Sequence, residues 1–238
     1  MRLAQAEPAA PPADAPHPAM PARKLLTPLH DADDDLRKGQ IRQANEALIL
    51  AAAERVFARN GFTGATMAAI ADGAALPKAN LHYYFGSKQA LYLAVLQRTL
   101  HDWLVPMDGL VADADPAQAL EAYIRAKMAM SAERPDASKV FANELLHGAQ
   151  VVGELMRSEL RQMVRRKAAV IDGWVTEGRM AAVDATHLFF TIWAATQTYA
   201  DFDVQVRAVL GRSELTARDH QRATEHVVSL ILRGCGLA

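Results

Sequence analysis

Cysteine is almost missing from these 238 residues. The one thiol, Cys235, can form no internal disulfide, which fits a reducing compartment. Aromatic residues are scarce at 6%, although 51% of the chain is hydrophobic, supplied mainly by Ala, Leu, Val and Met. That balance favours helices over strands, and no stretch shows the two-residue alternation between hairpin turns that a sheet needs. No apolar run approaches the roughly 20 residues of a membrane span, and the N-terminus lacks the unbroken hydrophobic stretch of a secretory signal. A soluble, cytoplasmic protein without a membrane partner is expected. Phosphate loops, nucleophile elbows, Cys–His pairings and metal-ligand clusters are missing too. His220 and His226 stand six apart, off the one-face spacing that zinc needs on a helix. No catalysis, cofactor or metal is expected, and there is no internal repeat.

Net charge is also nearly absent, at −1, but it is unevenly spread. Residues 1–36 carry 3 basic and 6 acidic groups, residues 37–98 carry 8 and 3, and residues 99–238 carry 15 and 18. Only the middle block, at +5, has the sign that phosphates attract, and that excess is too small to decide the matter alone.

What the chain does contain is helical punctuation. Residues 1–36 are dominated by Ala and Pro and end in the acidic run DADDD, so a disordered tail is expected there. From Ile41 to Asn60 apolar residues recur at helical spacing through Ala44, Leu48, Ala52 and Val56, widened by Ile49, Ala53 and Phe57. Asn60-Gly61 is a stop signal, Thr66 precedes a short helix ending at Gly73, and Pro77 opens a second short helix. Ser87 then caps a long helix broken at Pro106. Further helices are expected at 116–133, 136–148, 151–179, 185–210 and 216–233. The fold class is all-α.

Two short helices joined by a tight turn, with a longer helix on each side, suit a helix-turn-helix near Thr66 to Phe85. Met67, Ile70, Leu76, Leu81 and Phe85 would face inward. Lys78, Ala79, Asn80, His82 and Tyr83 would face out, offering a cation, an amide able to pair with adenine, an imidazole and a phenol. A small helical subdomain with a polar surface fits this periodicity equally well.

The letters separate these readings. The run GFTGATMAAIADGAALPKANLHYYFGSKQALYLAVL resembles the DNA-binding domain of TetR-type repressors. Phe57, Gly61, Phe62, Thr66, Met67, Ile70, Ala71, Ala79, Leu81, Tyr83, Tyr84, Phe85, Ser87, Lys88 and Leu91 match the family pattern in order and without gaps. The resemblance implies a three-helix DNA-binding domain over 37–87 and a helical ligand-binding and dimerisation domain over 88–238. It puts Lys78, Ala79, Asn80 and His82 at base-reading positions. Tyr83, Tyr84 and Lys88 fall at phosphate-clamping positions, and Thr66 would meet phosphate at a helix N-terminus. Pro77 and His82 depart from the usual letters and bear on which operator is read.

Beyond the DNA-binding run, AYIRAKM, VIDGWV and HLFFTIWAATQTYADFDVQV are similar to the pyrimidine-utilisation repressor subgroup, whose members sense uracil or thymine. Trp193 and Gln197 lie four apart on one helix face, an indole wall beside a carboxamide that suits a small flat ring with adjacent N–H and C=O groups. Trp103 would form a second wall, and Phe141 and Glu144 would close the cavity; packing alone also explains two tryptophans in a helical core. The resemblance further implies a homodimer through the last two helices, with Leu188, Ile192, Val204, Val227, Val228, Leu230 and Ile231 shared between core and partner. The expected partners are a palindromic double-stranded DNA operator and a small effector, uracil or thymine. An unrelated inducer and a small-molecule enzyme are the rival readings.

Overall fold

The computed structural model describes the backbone of residues 29–237 and side chains from Leu36 onward. The expected tail therefore lies outside the described residues up to position 28. Its last eight positions are helical, because α1 runs Leu29–Gly64. Pro28 is the last proline before Pro77, so no proline interrupts a helix over that stretch. Gly61, at φ 66° and ψ 176°, breaks the helical run where Asn60-Gly61 predicts it.

Ile41 and Leu48 are 58% and 51% exposed, whereas Ile49, Ala52, Ala53 and Phe57 are buried. The inward stripe of α1 thus draws on both expected rows, with Ala52 from the first and Ile49, Ala53 and Phe57 from the second. Residues 42–237 pack as one unit. Thr66 accepts a hydrogen bond from the Ala69 amide at 3.1 Å and caps α2 (Met67–Ala74). The helix passes through Gly73 and stops at Ala75, whose left-handed φ of 54° lets its amide reach the Ala71 and Asp72 carbonyls. Then follow α3 (Lys78–Phe85) and α4 (Lys88–Leu104), the second capped by Ser87. Pro106 lies in a 3-10 turn, Val105–Gly109.

The remaining helices are α5 (Pro116–Glu133), α6 (Pro135–Leu146), α7 (Gly153–Leu155), a π-helical stretch Met156–Leu160, α8 (Arg161–Thr176), α9 (Ala185–Asp201), α10 (Asp203–Leu210) and α11 (Ala217–Gly234). No strand occurs among the described residues, nor any helix long and apolar enough to cross a membrane. The single helix expected at 185–210 is divided at Phe202. Ties to α6 bracket that break: Ser138 donates to Asp201 at 2.6 Å, and Lys139 pairs with Asp203 at 3.0 Å. Helix α5 packs against α9 and α11 and also touches α6 and the 3-10 turn, with Leu120, Tyr123, Ile124 and Met128 buried. Of the apolar residues expected to be shared with a partner, Leu188, Ile192, Val227, Val228 and Ile231 are internal core. Val204 and Leu230 are 69% and 59% exposed.

Arg134, between α5 and α6, binds two carboxylates at once, Glu54 of α1 and Asp102 of α4. Glu54 is buried, so this guanidinium is what makes its charge tolerable there. Arg134→Met is expected to lower unfolding free energy by about 2–3 kcal/mol, somewhat below the usual cost of breaking a fully buried pair because Arg134 is partly exposed. Urea denaturation measures it, and Glu54→Gln in the same chain should recover part of the loss.

Candidate functional site

Two surfaces carry the expected chemistry. The first is α3. Leu81 is fully buried and Leu76 and Phe85 are partly buried against the core, which turns Lys78, Ala79, His82 and Tyr83 outward. Tyr83 is 77% exposed. Asn80 is half-buried. His82 places Nδ1 3.0 Å from the Gly86 carbonyl. A carbonyl only accepts, so Nδ1 carries the proton and Nε2 is left as the outward-facing nitrogen. Tyr84 is restrained from behind, since Asn45 Nδ2 donates to its hydroxyl at 3.1 Å. Thr66 is exposed at the start of α2.

Lys88 corrects an expectation. Its ammonium donates to the carbonyls of Phe62 at 2.8 Å, Ala65 at 2.9 Å and Thr63 at 3.3 Å, and lies 4.6 Å from the Phe62 ring centre. Those three bonds use all its donors, so the side chain braces the link between α1 and α2 instead of reaching outward to a phosphate.

The second surface is a partly open cavity of about 260 Å³ lined by α4, the 3-10 turn, α5, α6, the π-helical stretch and α9. Trp103, Phe141, Trp193 and Gln197 all line it. Trp103 and Phe141 meet edge to face at 4.8 Å. Trp193 donates its indole N–H to the Tyr123 hydroxyl at 2.7 Å. The proton of that hydroxyl has no acceptor among the described residues, and neither does the Gln197 carboxamide bond to any of them. Met156 and Leu160 enter from the π-helical stretch, a deformation often found at functional sites.

Glu144 does not line this cavity, contrary to expectation. Its carboxylate accepts from the Tyr92 hydroxyl at 3.2 Å and from the amides of Val151 at 2.6 Å and Val152 at 3.2 Å. It therefore ties α6 to α4 and holds the chain after α6. Burial and the adjoining Glu144 charge push the Tyr92 phenol above its ordinary range.

Sequence reasoning missed Lys127 and Tyr123. Lys127 is 2% exposed, lines the cavity, and holds its ammonium 4.0 Å from the centre of the Trp103 ring. Burial pushes it down to about 7, opposed by the negative charge of Asp201. The available signal was a lysine four residues after Tyr123 on the apolar face of AYIRAKMAM, where one turn brings both side chains to the same side.

The N-terminal part of the chain matches the family model described as bacterial regulatory proteins, tetR family, over residues 49–95. Residues 96–238 match the model described as YcdC-like protein, C-terminal region. The chain is 40% identical over 201 residues to the HTH-type transcriptional regulator RutR of Escherichia coli K12, covering 83% of this chain and 93% of that protein. It is 34% identical over 100 residues to the HTH-type transcriptional repressor NicS of Pseudomonas putida, covering 42% and 47%. Among solved structures it is similar to the ketosteroid transcriptional regulator KstR2 of Mycobacterium tuberculosis, with TM-score 0.64, 18% identity and coverage of 80% and 94%. PfmR of Thermus thermophilus aligns with TM-score 0.58 and 21% identity over 78% of this chain and 97% of that one. At those identities the structural likeness speaks for the fold.

Two stability measurements check the assignments of the lysines. Lys88→Met is expected to lower unfolding free energy by about 1–2 kcal/mol, since its charged hydrogen bonds are partly open to water. Lys127 behaves oppositely with pH. Its folded value lies below the 10.5 of the free side chain, so the unfolded chain binds that proton more tightly. The resulting penalty is complete below pH 7 and is relieved as pH rises from about 7 to 10.5. Lys127→Met should therefore gain on the wild type at pH 6, with the gap closing toward pH 10.

Proposed function

The chain belongs to the TetR family of bacterial regulatory proteins, and from that premise we propose that it represses pyrimidine or related nitrogen-compound catabolism, leaving its operator when uracil or thymine fills the cavity. The cavity is the observation that carries this reading. Drug-sized ligands occupy roughly 300–1,000 Å³, so a space of about 260 Å³ suits one small ring. Two indoles supply the flat walls. Gln197 has both a donor and an acceptor to offer the alternating C=O and N–H edge of a pyrimidine, and the Tyr123 hydroxyl and Lys127 add donors. The resemblance to pyrimidine-utilisation repressors points the same way.

Helix α4 is the connection to DNA. Trp103 walls the cavity and Lys88 braces the helix-turn-helix, about 22 Å apart at 1.5 Å per residue. Helix α6 holds α4 at two places, through Phe141 against Trp103 and Glu144 against Tyr92. A ligand seated against Trp103 and Phe141 changes how α6 lies on α4 and so tilts the helix that carries the DNA-binding unit. In a dimer paired through the C-terminal helices, that tilt spoils the spacing of about 34 Å between successive major grooves of a palindromic operator. The ligand must bind the released conformer more tightly, since equal affinity for both would shift nothing. Lys78, Asn80 and His82 read bases in this scheme, with Thr66, Tyr83 and Tyr84 at the backbone and Ala79 allowing close approach. A protein that acts on chromosomal DNA works in the cytoplasm.

The decisive experiment titrates purified protein with uracil and thymine by calorimetry and follows release of labelled operator by anisotropy. Gln197→Leu is expected to weaken uracil binding by more than about tenfold while leaving operator affinity of the free protein within about twofold. Asn80→Ala should do the reverse, costing about 1–3 kcal/mol at one base position of the operator. Uracil binding that leaves operator affinity unchanged would sink the proposal. Thermal shifts with purines or pyrimidine breakdown products, but not with uracil and thymine, would transfer the same mechanism to another inducer.

A further inference from the structure

We propose that Lys127 makes the cavity selective for ligand charge, so that it prefers planar heterocycles whose acidic N–H or enol has been lost, and that the lysine takes up a proton when such an anion binds. This rests on reading the cavity as the effector site and names the class of ring it takes best.

The contrast among the lysines carries the inference. Lys88 donates to three carbonyls, Lys139 pairs with Asp203, and Lys167 lies against the Leu110 carbonyl at 3.2 Å. Lys127 is the most deeply buried of these, yet no carboxylate, carbonyl or hydroxyl among the described residues accepts from it. Its one direct contact is the face of Trp103. At 2% exposure the side chain is almost wholly covered, and it lines the cavity with no protein acceptor in reach among the described residues. A buried ammonium without acceptors is costly, and an aromatic face offsets only part of that cost.

The neighbours leave the acceptor position open. On α9, Asp201 lies within electrostatic reach, but its carboxylate accepts from Ser138 and is shared with the field of Lys139, both on α6. Burial raises Asp201 above the ordinary carboxylate range, which weakens it further as a counter-ion. On α5 itself the titratable neighbour is Tyr123, whose phenol burial pushes upward and keeps protonated. The side chains that line the cavity from α4, α6 and the π-helical stretch, Leu100 and Trp103 among them, include no titratable group. The missing acceptor is a ligand atom. Because burial brings Lys127 down to about 7, the empty cavity at pH 8 holds mainly the neutral amine. An incoming anion restores the ammonium by drawing one proton from solvent, while a neutral ring gains only ordinary hydrogen bonds.

Uracil, 5-fluorouracil and 5-nitrouracil share one ring and rise in N–H acidity, with thymine as a control for size at the 5-position. Calorimetry at pH 8 in phosphate and in Tris reads affinity and proton uptake together. The expected result is an affinity rising about tenfold or more from uracil to 5-nitrouracil, with uptake of close to one proton for the nitro compound. Lys127→Met should flatten the series to within about threefold and abolish the uptake. A flat series without uptake in wild-type protein that binds uracil overturns this proposal and leaves the effector reading standing. A gradient that persists in Lys127→Met overturns it too. Failure of every ring to bind overturns the effector reading and this proposal with it. The proton count in wild-type protein decides the matter even if the variant folds poorly.

Discussion

A charge taken out of water has to find partners, and that constraint places α4. Three polar groups hold this helix along its length. Near its start, Lys88 spends its ammonium on carbonyls at the end of α1. One turn on, Tyr92 is held by Glu144 of α6. Near its end, Asp102 shares Arg134 with Glu54 of α1. Each tie is directional and short-ranged, so α4 has few orientations that satisfy all three. Apolar burial supplies the bulk of the stabilisation, but it is tolerant of sliding, and these ties are not. A helix fixed in this way can have one arrangement exchanged for another, which is what a switch between two states requires.

The cavity obeys the same constraint by leaving it unmet. Around Trp103, Phe141 and Trp193 the lining is apolar and aromatic, and the polar groups that enter it are few. Trp193 is satisfied by Tyr123, whereas the Tyr123 proton, Gln197 and Lys127 are not satisfied by the described residues. Elsewhere among the described residues, His220 Nδ1 is the one buried side-chain polar atom left without a partner. Concentrating open donors in one small space sacrifices some stability of the empty protein for recognition of what fills it. These open groups lie on α5 and α9, and α4 and α6 form the facing walls.

How much of this the sequence disclosed depends on the range of each interaction. The caps Thr66 and Ser87, the break at Gly61 and the start of α3 after Pro77 are decided within four residues, and all were legible. So were Trp103, Phe141, Trp193 and Gln197, through resemblance and helical spacing. Glu144 was misplaced because it lies only three residues from Phe141. That offset turns it about 60° around α6, enough to aim at Tyr92 instead of the cavity. Lys88 was misread because its acceptors lie 23 to 26 residues earlier, beyond any local pattern. The inward row of α1 was also a tertiary matter, since Ile41 and Ile49 are equally apolar letters and only packing distinguishes them.

Lys127 was the hardest residue to read, and the reason bears on function. Lysine is a surface letter, and a sequence argument assigns its charge to water unless a carboxylate is placed nearby. Here tertiary burial overrides that prior without supplying a carboxylate that is free to pair. In a protein whose other buried charges are closely matched, as with Arg134 and Glu54, an unmatched one is the exception. Mutation to a hydrophobic residue of the same length would remove the cost, so retention of the amine in this core makes sense where something outside the chain completes it. The DNA-binding helices can be recognised from their letters alone. In the proposed mechanism, what controls them rests on an acceptor that the chain itself does not provide.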